Sequence, residues 1–263
     1  MLDVWRAADD IDVFESAWNF DHFYPIFSDS DGPCLEAWTM LAAMAQATHR
    51  IRVGCQVTGM IYRHPAVLAN MAATVDVISG GRLDVGVGAG WNQQECDAYG
   101  IELPPLKERF DRFDEGVDAL VLLLSQETSD YDGRYVQLRA ARCEPKPVQQ
   151  PHPPITIGGN GPTRTLRTVA RRAQQWNSTA GIEHWPSIKT TLEQRCAEAG
   201  RDPATIDYSV NLRFDPSAGP AALAESAAAF AEAGADIAIV GLPAPHTASV
   251  LEPIAEALRP LAG

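Results

Sequence analysis

The sequence has no run of apolar residues long enough to cross a bilayer. Stretches such as Ala42–Ala45 fall far short of the ~20 residues a membrane helix needs. The opening segment is broken by Asp3, Arg6, Asp9, Asp10, Asp12 and Glu15, so neither a signal peptide nor an anchor is expected. Cations are scarce: 21 Lys and Arg face 34 Asp and Glu, and the net charge of -13 argues against duplex nucleic acid or an anionic membrane as partner. The five cysteines (Cys34, Cys55, Cys96, Cys143, Cys196) are odd in number and scattered, without a CxxC or a zinc-type Cys/His spacing. No metal site is expected, and the thiols read as those of a reduced, cytoplasmic protein. Local sequence recommends no Ser/His/acid set, and no glycine-rich turn follows the first strand, which counts against a dinucleotide-binding Rossmann unit. What remains is a 263-residue chain, 46% hydrophobic and 21% charged. That is the composition of a globular protein and a length that one α/β barrel can use, with a small molecule or a protein as its partner.

Hydrophobic periodicity predicts an alternation of strands and helices along nearly the whole chain. A helix over Leu2–Asp9 is followed by a strand within Glu15–Phe20, an Ala/Met-rich helix over Leu35–Thr48 and a strand over Ile51–Val57. A helix over Pro65–Ile78, stopped by Gly80 and Gly81, precedes a strand over Leu83–Val87 and a helix over Leu106–Leu124. Residues Tyr131–Leu138 carry an Asp-Gly turn between aromatics and predict a hairpin interrupting the rhythm. Strands at Ile155–Ile157, Gln175–Ser178, Ile206–Leu212 and Asp236–Val240 then alternate with helices at Thr163–Arg172, Trp185–Ala199, Ala221–Ala233 and Thr247–Leu258. Such alternation implies a parallel sheet covered by helices, either open or closed as a (β/α)₈ barrel. Seven parallel strands are one short of the barrel, and a helix stands where its first strand would come.

Four segments fall where the strands hand over to helices, the side on which such sheets place their chemistry. Asp21-His22-Phe23 follows the first strand; an imidazole there can orient a carbonyl or move a proton, or Asp21 can cap a turn with His22 a satisfied loop residue. Gly86-Val87-Gly88-Ala89-Gly90-Trp91 either lets backbone approach a ligand or makes a tight turn. Gly158-Gly159-Asn160-Gly161-Pro162-Thr163-Arg164 leads from a strand into a helix, the outline of a phosphate site. It lies within Arg134–Arg172, where eight basic residues face one acid. Thr58 to Pro65, with Tyr62, Arg63 and His64, forms a further polar loop, and Trp91 and Trp176 stand at strand ends where they could line an apolar pocket.

The successive segments WNFDHF, VGCQVTGMIYRHPAVLANMAATVDVISGGRLDVGVGAGWNQQE, AYGIELPPLKERFDRFDE, DGRY, CEPKPVQQPHPPITIGGNG and QQWN resemble, in order, the luciferase-like monooxygenase family. They are most similar to its deazaflavin (coenzyme F420)-dependent oxidoreductases of actinobacteria. The resemblance implies an α/β fold, a TIM (β/α)₈ barrel of the bacterial luciferase type lacking its first strand, as a single domain over residues 1–263 with a hairpin insertion near 130–138. It implies F420 across the C-terminal strand ends, with Asp21 and His22 at the ring and a non-prolyl cis peptide behind it at about Cys55 and Gln56, with Thr58 nearby. Gly88, Ala89 and Gly90 would flank the ring, and Gly158, Gly159, Gly161 and Arg164 would take the phosphate. The implied reaction is hydride transfer between C5 of the deazaflavin and a small organic substrate, with His22 as proton donor or acceptor and Glu95 behind it; the cofactor carries the hard chemistry. Two other readings stay open: an FMN-dependent monooxygenase served by a flavin reductase, and a non-catalytic flavin-binding protein with an incomplete barrel. Substrate choice is expected in the loops Tyr24–Pro33 and Ser178–Trp185, and family habit implies a homodimer.

Overall fold

The structure, a computed structural model, describes residues 1–27 and 29–262. Ser28, inside the expected substrate loop, and Gly263 lie outside the described residues. In chain order the elements are α1 (Leu2–Asp9), β1 (Ser16–Asn19), α2 (Ala37–Ala47), β2 (Arg52–Cys55), β3 (Thr58–Gly59), α3 (Pro65–Ser79), β4 (Leu83–Gly88), α4 (Gln93–Tyr99) and α5 (Leu106–Ser125). Then come β5 (Ser129–Asp132), β6 (Gln137–Ala141), β7 (Ile155–Gly158), α6 (Thr165–Arg172), β8 (Gln175–Ser178), α7 (Trp185–Ala199), β9 (Asp207–Arg213), α8 (Gly219–Glu232), β10 (Ile237–Gly241) and α9 (Leu251–Leu258). Each predicted element is present. β3 and α4 are additional, and the helix expected from Thr247 begins as a 3₁₀ turn at Ala248–Val250 before α9. No helix of the described residues is long and apolar enough to cross a membrane.

The chain divides into two compact units. One comprises Trp18–Gln46 and Arg52–Thr156. Its strands follow the order β1-β2-β4-β7, with β3 also on β4. Parallel pairing sets Val53 opposite Leu83 and Thr58 opposite Val87. All six residues of β4 are buried, as expected of a strand covered on both faces. The ring of Trp18 lies against Gly54, where any side chain would collide with it. At the N-terminal end of β4, the buried Asp76 accepts hydrogen bonds from the Gln149 backbone N–H at 3.0 Å and from its Nε2 at 2.7 Å, while Arg52 pairs with Asp84. These contacts satisfy charges that would otherwise be costly to enclose. The hairpin β5–β6 is held from α5: the Glu115 carboxylate accepts from the backbone N–H groups of Arg134, Tyr135 and Val136 at 2.7–3.0 Å.

The second unit comprises Met1–Ala17, Ala47–Ile51 and the chain from Ile157 onward. Its strand order is β7-β8-β9-β10, with parallel registers of Gln175 opposite Asp207 and Ile237 opposite Ser209. Val4 and Ala8 of α1 pack with Ile51 and Leu251, and Phe214, Leu223 and Ile254 form a neighbouring cluster. Arg50 ties the α1 segment down through the carbonyls of Ala8, Asp9, Ile11 and Phe14. A stack of Trp176 on Trp185, with centroids 5.1 Å apart, is flanked edge-on by Tyr208 and Phe230. Trp176 is fully buried in that stack, so it is core and not the pocket lining its strand-end position suggested.

Candidate active site

The centre of the site in the first unit is a carboxylate that local periodicity does not single out. Glu95 sits in the first turn of α4 with no exposed surface. Its Oε1 accepts from the Phe23 and Tyr24 backbone N–H groups at 2.8 and 3.1 Å. Its Oε2 lies 2.8 Å from His22 Nδ1 and accepts from the Tyr62 hydroxyl at 2.9 Å. Burial pushes the Glu95 carboxyl upward, but the hydrogen bonds from His22, Tyr24, Phe23 and Tyr62 outweigh it and hold the group below the ordinary glutamate value. Glu95 is therefore a carboxylate at neutral pH, an acceptor only, and His22 Nδ1 must carry the proton shared with it. That fixes the tautomer: in the neutral ring, Nε2 holds the free lone pair. The same hydrogen bond and burial raise the Tyr62 hydroxyl well above the usual tyrosine value, burial being the larger cause, so Tyr62 stays a donor.

The loop that carries His22 is pinned on both sides. Asp21 is almost enclosed, its carboxylate gripped by Arg63 through contacts of 2.5 and 3.1 Å, and it also accepts from Gly59 N–H at 3.2 Å. Arg63 reaches Glu36 as well, at 3.2 Å. Burial works against the guanidinium charge, but Asp21 and Glu36 more than offset it and keep Arg63 firmly protonated. Asp21 is thus committed to Arg63, and its carboxylate is turned to the scaffold. Phe23 stacks on Tyr99 of α4 at 4.3 Å between centroids, fixing the loop to the helix that supplies Glu95. Cys34 Sγ lies 3.2 Å from the His22 carbonyl and donates to it.

The residues expected behind the ring divide into two groups. Gln56 is joined to Val57 by a non-prolyl cis peptide, at the loop where one was expected. Cys55 and Thr58, however, have no exposed surface. The Thr58 hydroxyl accepts from Trp38 Nε1 at 3.0 Å and also pairs with the Cys55 thiol, which burial pushes far above its ordinary value. The side chains of Cys55 and Thr58 are thus enclosed, with their polar atoms paired inside the protein.

The glycine-rich segment packs closely against the chain itself. A Cβ on Gly86 would overlap the Cys55 carbonyl oxygen, one on Gly88 would stand 2.7 Å from Val57 Cγ2, and one on Gly90 2.6 Å from Ile61 Cδ1. Gly86 and Gly88 thus make room for Cys55 and Val57 at the β2–β3 loop, and Gly90 for Ile61 in the loop after β3. Ala89 and Gly90 then lead to Trp91, which is 63% exposed and meets the His22 ring edge-on at 5.5 Å. The imidazole itself is 11% exposed, and Tyr99 and Cys34 of the same cluster are exposed as well.

In the second unit, the loop Gly158–Arg164 enters α6 with no side-chain cap at Arg164. Gly159 N–H is already spent on the Asn177 carbonyl at 2.9 Å, and the Gly159 carbonyl accepts from Trp176 Nε1 at 2.9 Å. Gly161 lies where a Cβ would meet Thr165 Oγ1 at 2.8 Å. Arg139 is on β6, Lys146 donates to the Leu123 carbonyl, and Arg171 and Arg172 occupy the last turn of α6, where they suit the negative end of the helix dipole. Arg164 itself stands at the N-cap position of α6, beside the glycine loop. A cavity of about 490 Å³ in the same unit is lined by residues that include Thr179, Ile182, Asn211, Arg213, Glu225 and Phe230, and so takes in part of the expected specificity loop Ser178–Trp185.

Residues 1–261 match the Bac_luciferase family, described as luciferase-like monooxygenase. An uncharacterized protein of Mycobacterium tuberculosis is 32% identical over 80% of this chain and 70% of its own length. An F420-dependent glucose-6-phosphate dehydrogenase of Microbacterium testaceum is 31% identical over 81% of this chain and 63% of that protein. Among solved structures, an F420-dependent secondary alcohol dehydrogenase in complex with an F420-acetone adduct superposes with a TM-score of 0.87 at 21% identity, over 98% of this chain and 93% of the other. The fold is accordingly the α/β barrel of the luciferase type, with seven strands along its main sheet path among the described residues. By the match over residues 1–261, the chain belongs to the luciferase-like monooxygenase family.

Proposed function

We propose that this protein is an F420-dependent oxidoreductase acting on a small organic substrate, with His22 as the group that moves the proton and Glu95 as the residue that positions it. The observation that carries the reading is the His22 Nδ1–Glu95 Oε2 hydrogen bond of 2.8 Å to a carboxylate saturated by donors. Relatives named as F420-dependent dehydrogenases support the choice of cofactor. When bound, F420 supplies a hydride donor or acceptor at C5.

The chain's own residues do the rest. In oxidation of an alcohol, His22 Nε2 accepts the hydroxyl proton as the C–H hydride leaves, and Glu95 stabilises the imidazolium that forms. In reduction of a carbonyl, His22 Nε2 returns that proton to the oxygen. Glu95 touches neither substrate nor ring; it orients the imidazole and fixes its tautomer. Arg63 and Asp21 hold the His22 loop rigid, and Trp91 shields the outer edge of the imidazole from water. Considered on its own, the loop Gly158–Gly161 with Arg164 suits a phosphate group, because the first turn of α6 has backbone N–H groups and no side-chain cap.

The test is a fluorescence titration of the purified protein with F420 and, separately, with FMN. Micromolar quenching by F420 with FMN ignored supports the reading; binding of FMN alone moves it to a flavin-dependent monooxygenase, and binding of neither refutes it.

A further inference from the structure

Two polar atoms of the first unit are buried without a hydrogen-bond partner at the ends of β2 and β1: Gln56 Nε2 and Asn19 Oδ1. Gln56 is 7% exposed, so its amide group is nine-tenths enclosed. Asn19 cannot exchange its ends to hide the vacancy, because its Nδ2 already donates to the Ala37 carbonyl at 2.8 Å; the orphan is an acceptor. The two residues are directly joined through backbone, Gln56 N–H donating to the Asn19 carbonyl at 2.8 Å. An unpaired donor and an unpaired acceptor thus stem from hydrogen-bonded neighbours on the β2–β3 loop and β1, and Asn19 stands two and three residues before Asp21 and His22. Enclosed polar groups are nearly always satisfied in folded proteins, so a matched pair of orphans asks for a partner from outside the chain.

We infer that Gln56 and Asn19 form the recognition pair for the imide edge of the bound ring, Gln56 Nε2 donating to a ring carbonyl and Asn19 Oδ1 accepting from the neighbouring ring N–H. This rests on the proposed function, and it adds the residues that read the ring and the edge they read. A C(=O)–NH–C(=O) edge presents that acceptor and donor side by side, and deazaflavins and flavins share it. The pair therefore holds the ring in register over His22 without itself choosing between F420 and FMN; discrimination between them must come from elsewhere. Gln56 is a positioning residue in this scheme and takes no part in proton or hydride movement.

The test uses the intact protein and three probes: F420, the deazaflavin riboside that lacks its phosphate tail, and that riboside methylated at the imide nitrogen. Wild type is expected to bind the methylated riboside at least about tenfold more weakly than its parent, because the methyl group removes the proton offered to Asn19. Gln56→Leu is expected to weaken F420 and the parent riboside about tenfold and to shift the absorption maximum of the bound ring. The ligand-free Gln56→Leu protein should unfold at the same or a higher temperature than wild type, since no internal hydrogen bond is lost. Equal affinity of wild type for the two ribosides, or unchanged affinity and spectrum in Gln56→Leu, overturns the inference; an internal water satisfying the two atoms gives that second result with a lowered melting temperature. If wild type binds F420 but not selectively through the imide edge, this inference fails and the functional reading stands; if it binds no ring at all, both fall.

Discussion

Replacing Glu95 by glutamine exchanges one oxygen for an NH₂ group and reverses the polarity of the dyad. Of the four hydrogen bonds Glu95 accepts, the two on Oε1 come from the Phe23 and Tyr24 amides and survive, since the carboxamide oxygen serves them equally. The two on Oε2, from His22 Nδ1 and the Tyr62 hydroxyl, now face a donor. Tyr62 can rotate its hydroxyl and accept. His22 can keep a hydrogen bond only by placing its lone pair on Nδ1, which moves the proton to Nε2. The ring then has no base to offer, and no buried anion stabilises an imidazolium. Loss of a charge-assisted bond at an enclosed site costs about 1.5–3 kcal/mol of stability. The tautomer change removes general base catalysis and misaligns the ring, which together are worth about 10²–10⁴ in turnover. The assay pairs the rate of F420 absorbance change under saturating substrate with ¹⁵N chemical shifts of the His22 ring. Glu95→Gln with turnover within about threefold of wild type, or with Nδ1 still protonated, would refute the assignment of Glu95 as the orienting carboxylate.

Arg63→Met should cost about 3–5 kcal/mol in urea unfolding, because it leaves the enclosed Asp21 carboxylate without its guanidinium; a cost below about 1 kcal/mol contradicts the clamp. Gly88→Ala drives a methyl to 2.7 Å from Val57 Cγ2 and should cost about 1–3 kcal/mol, whereas Gly86→Ala meets backbone that cannot turn aside and should fail to accumulate as folded protein, both checked by thermal melts. Glu95 and Glu36 both lie below the ordinary glutamate value in the fold, each through hydrogen bonds that outweigh burial. Their contribution to stability is full above the unfolded-state value and is lost as pH falls through the lower folded-state values. Unfolding free energy should therefore drop on that acid limb, and the drop should be shallower in Glu95→Gln; an unchanged limb shows that Glu95 is not depressed.

The strand–helix alternation was legible because its elements carry strong local signals: α7 runs from Trp185 to Ala199 as periodicity predicts, and the Asp132-Gly133 turn marks the hairpin. α4 was not, because its buried face is Glu95 and Cys96 and no apolar stripe forms. Its ends were the available signal, with Asn92 accepting from Glu95 N–H at 3.3 Å and Gly100 closing the helix in the left-handed region. His22 and Glu95 could be named from the resemblance, but their contact joins residues 73 positions apart, and the roles of Tyr62 and Arg63 depend on contacts across 33 and 42. The packing of the glycine segment was hidden for a related reason: the Cβ positions of Gly86 and Gly88 are filled from a loop distant in sequence. The run of basic residues is spread over several elements, among them β6 and both ends of α6, which sequence order alone does not reveal.

The central claim is that His22 moves the proton while other residues hold the ring. Its most direct test is to measure F420 affinity and turnover side by side for wild type and His22→Asn, using a panel of small alcohols and ketones. The account predicts F420 affinity within about threefold of wild type and turnover lower by at least about 10². Turnover retained in His22→Asn with F420 bound would contradict it.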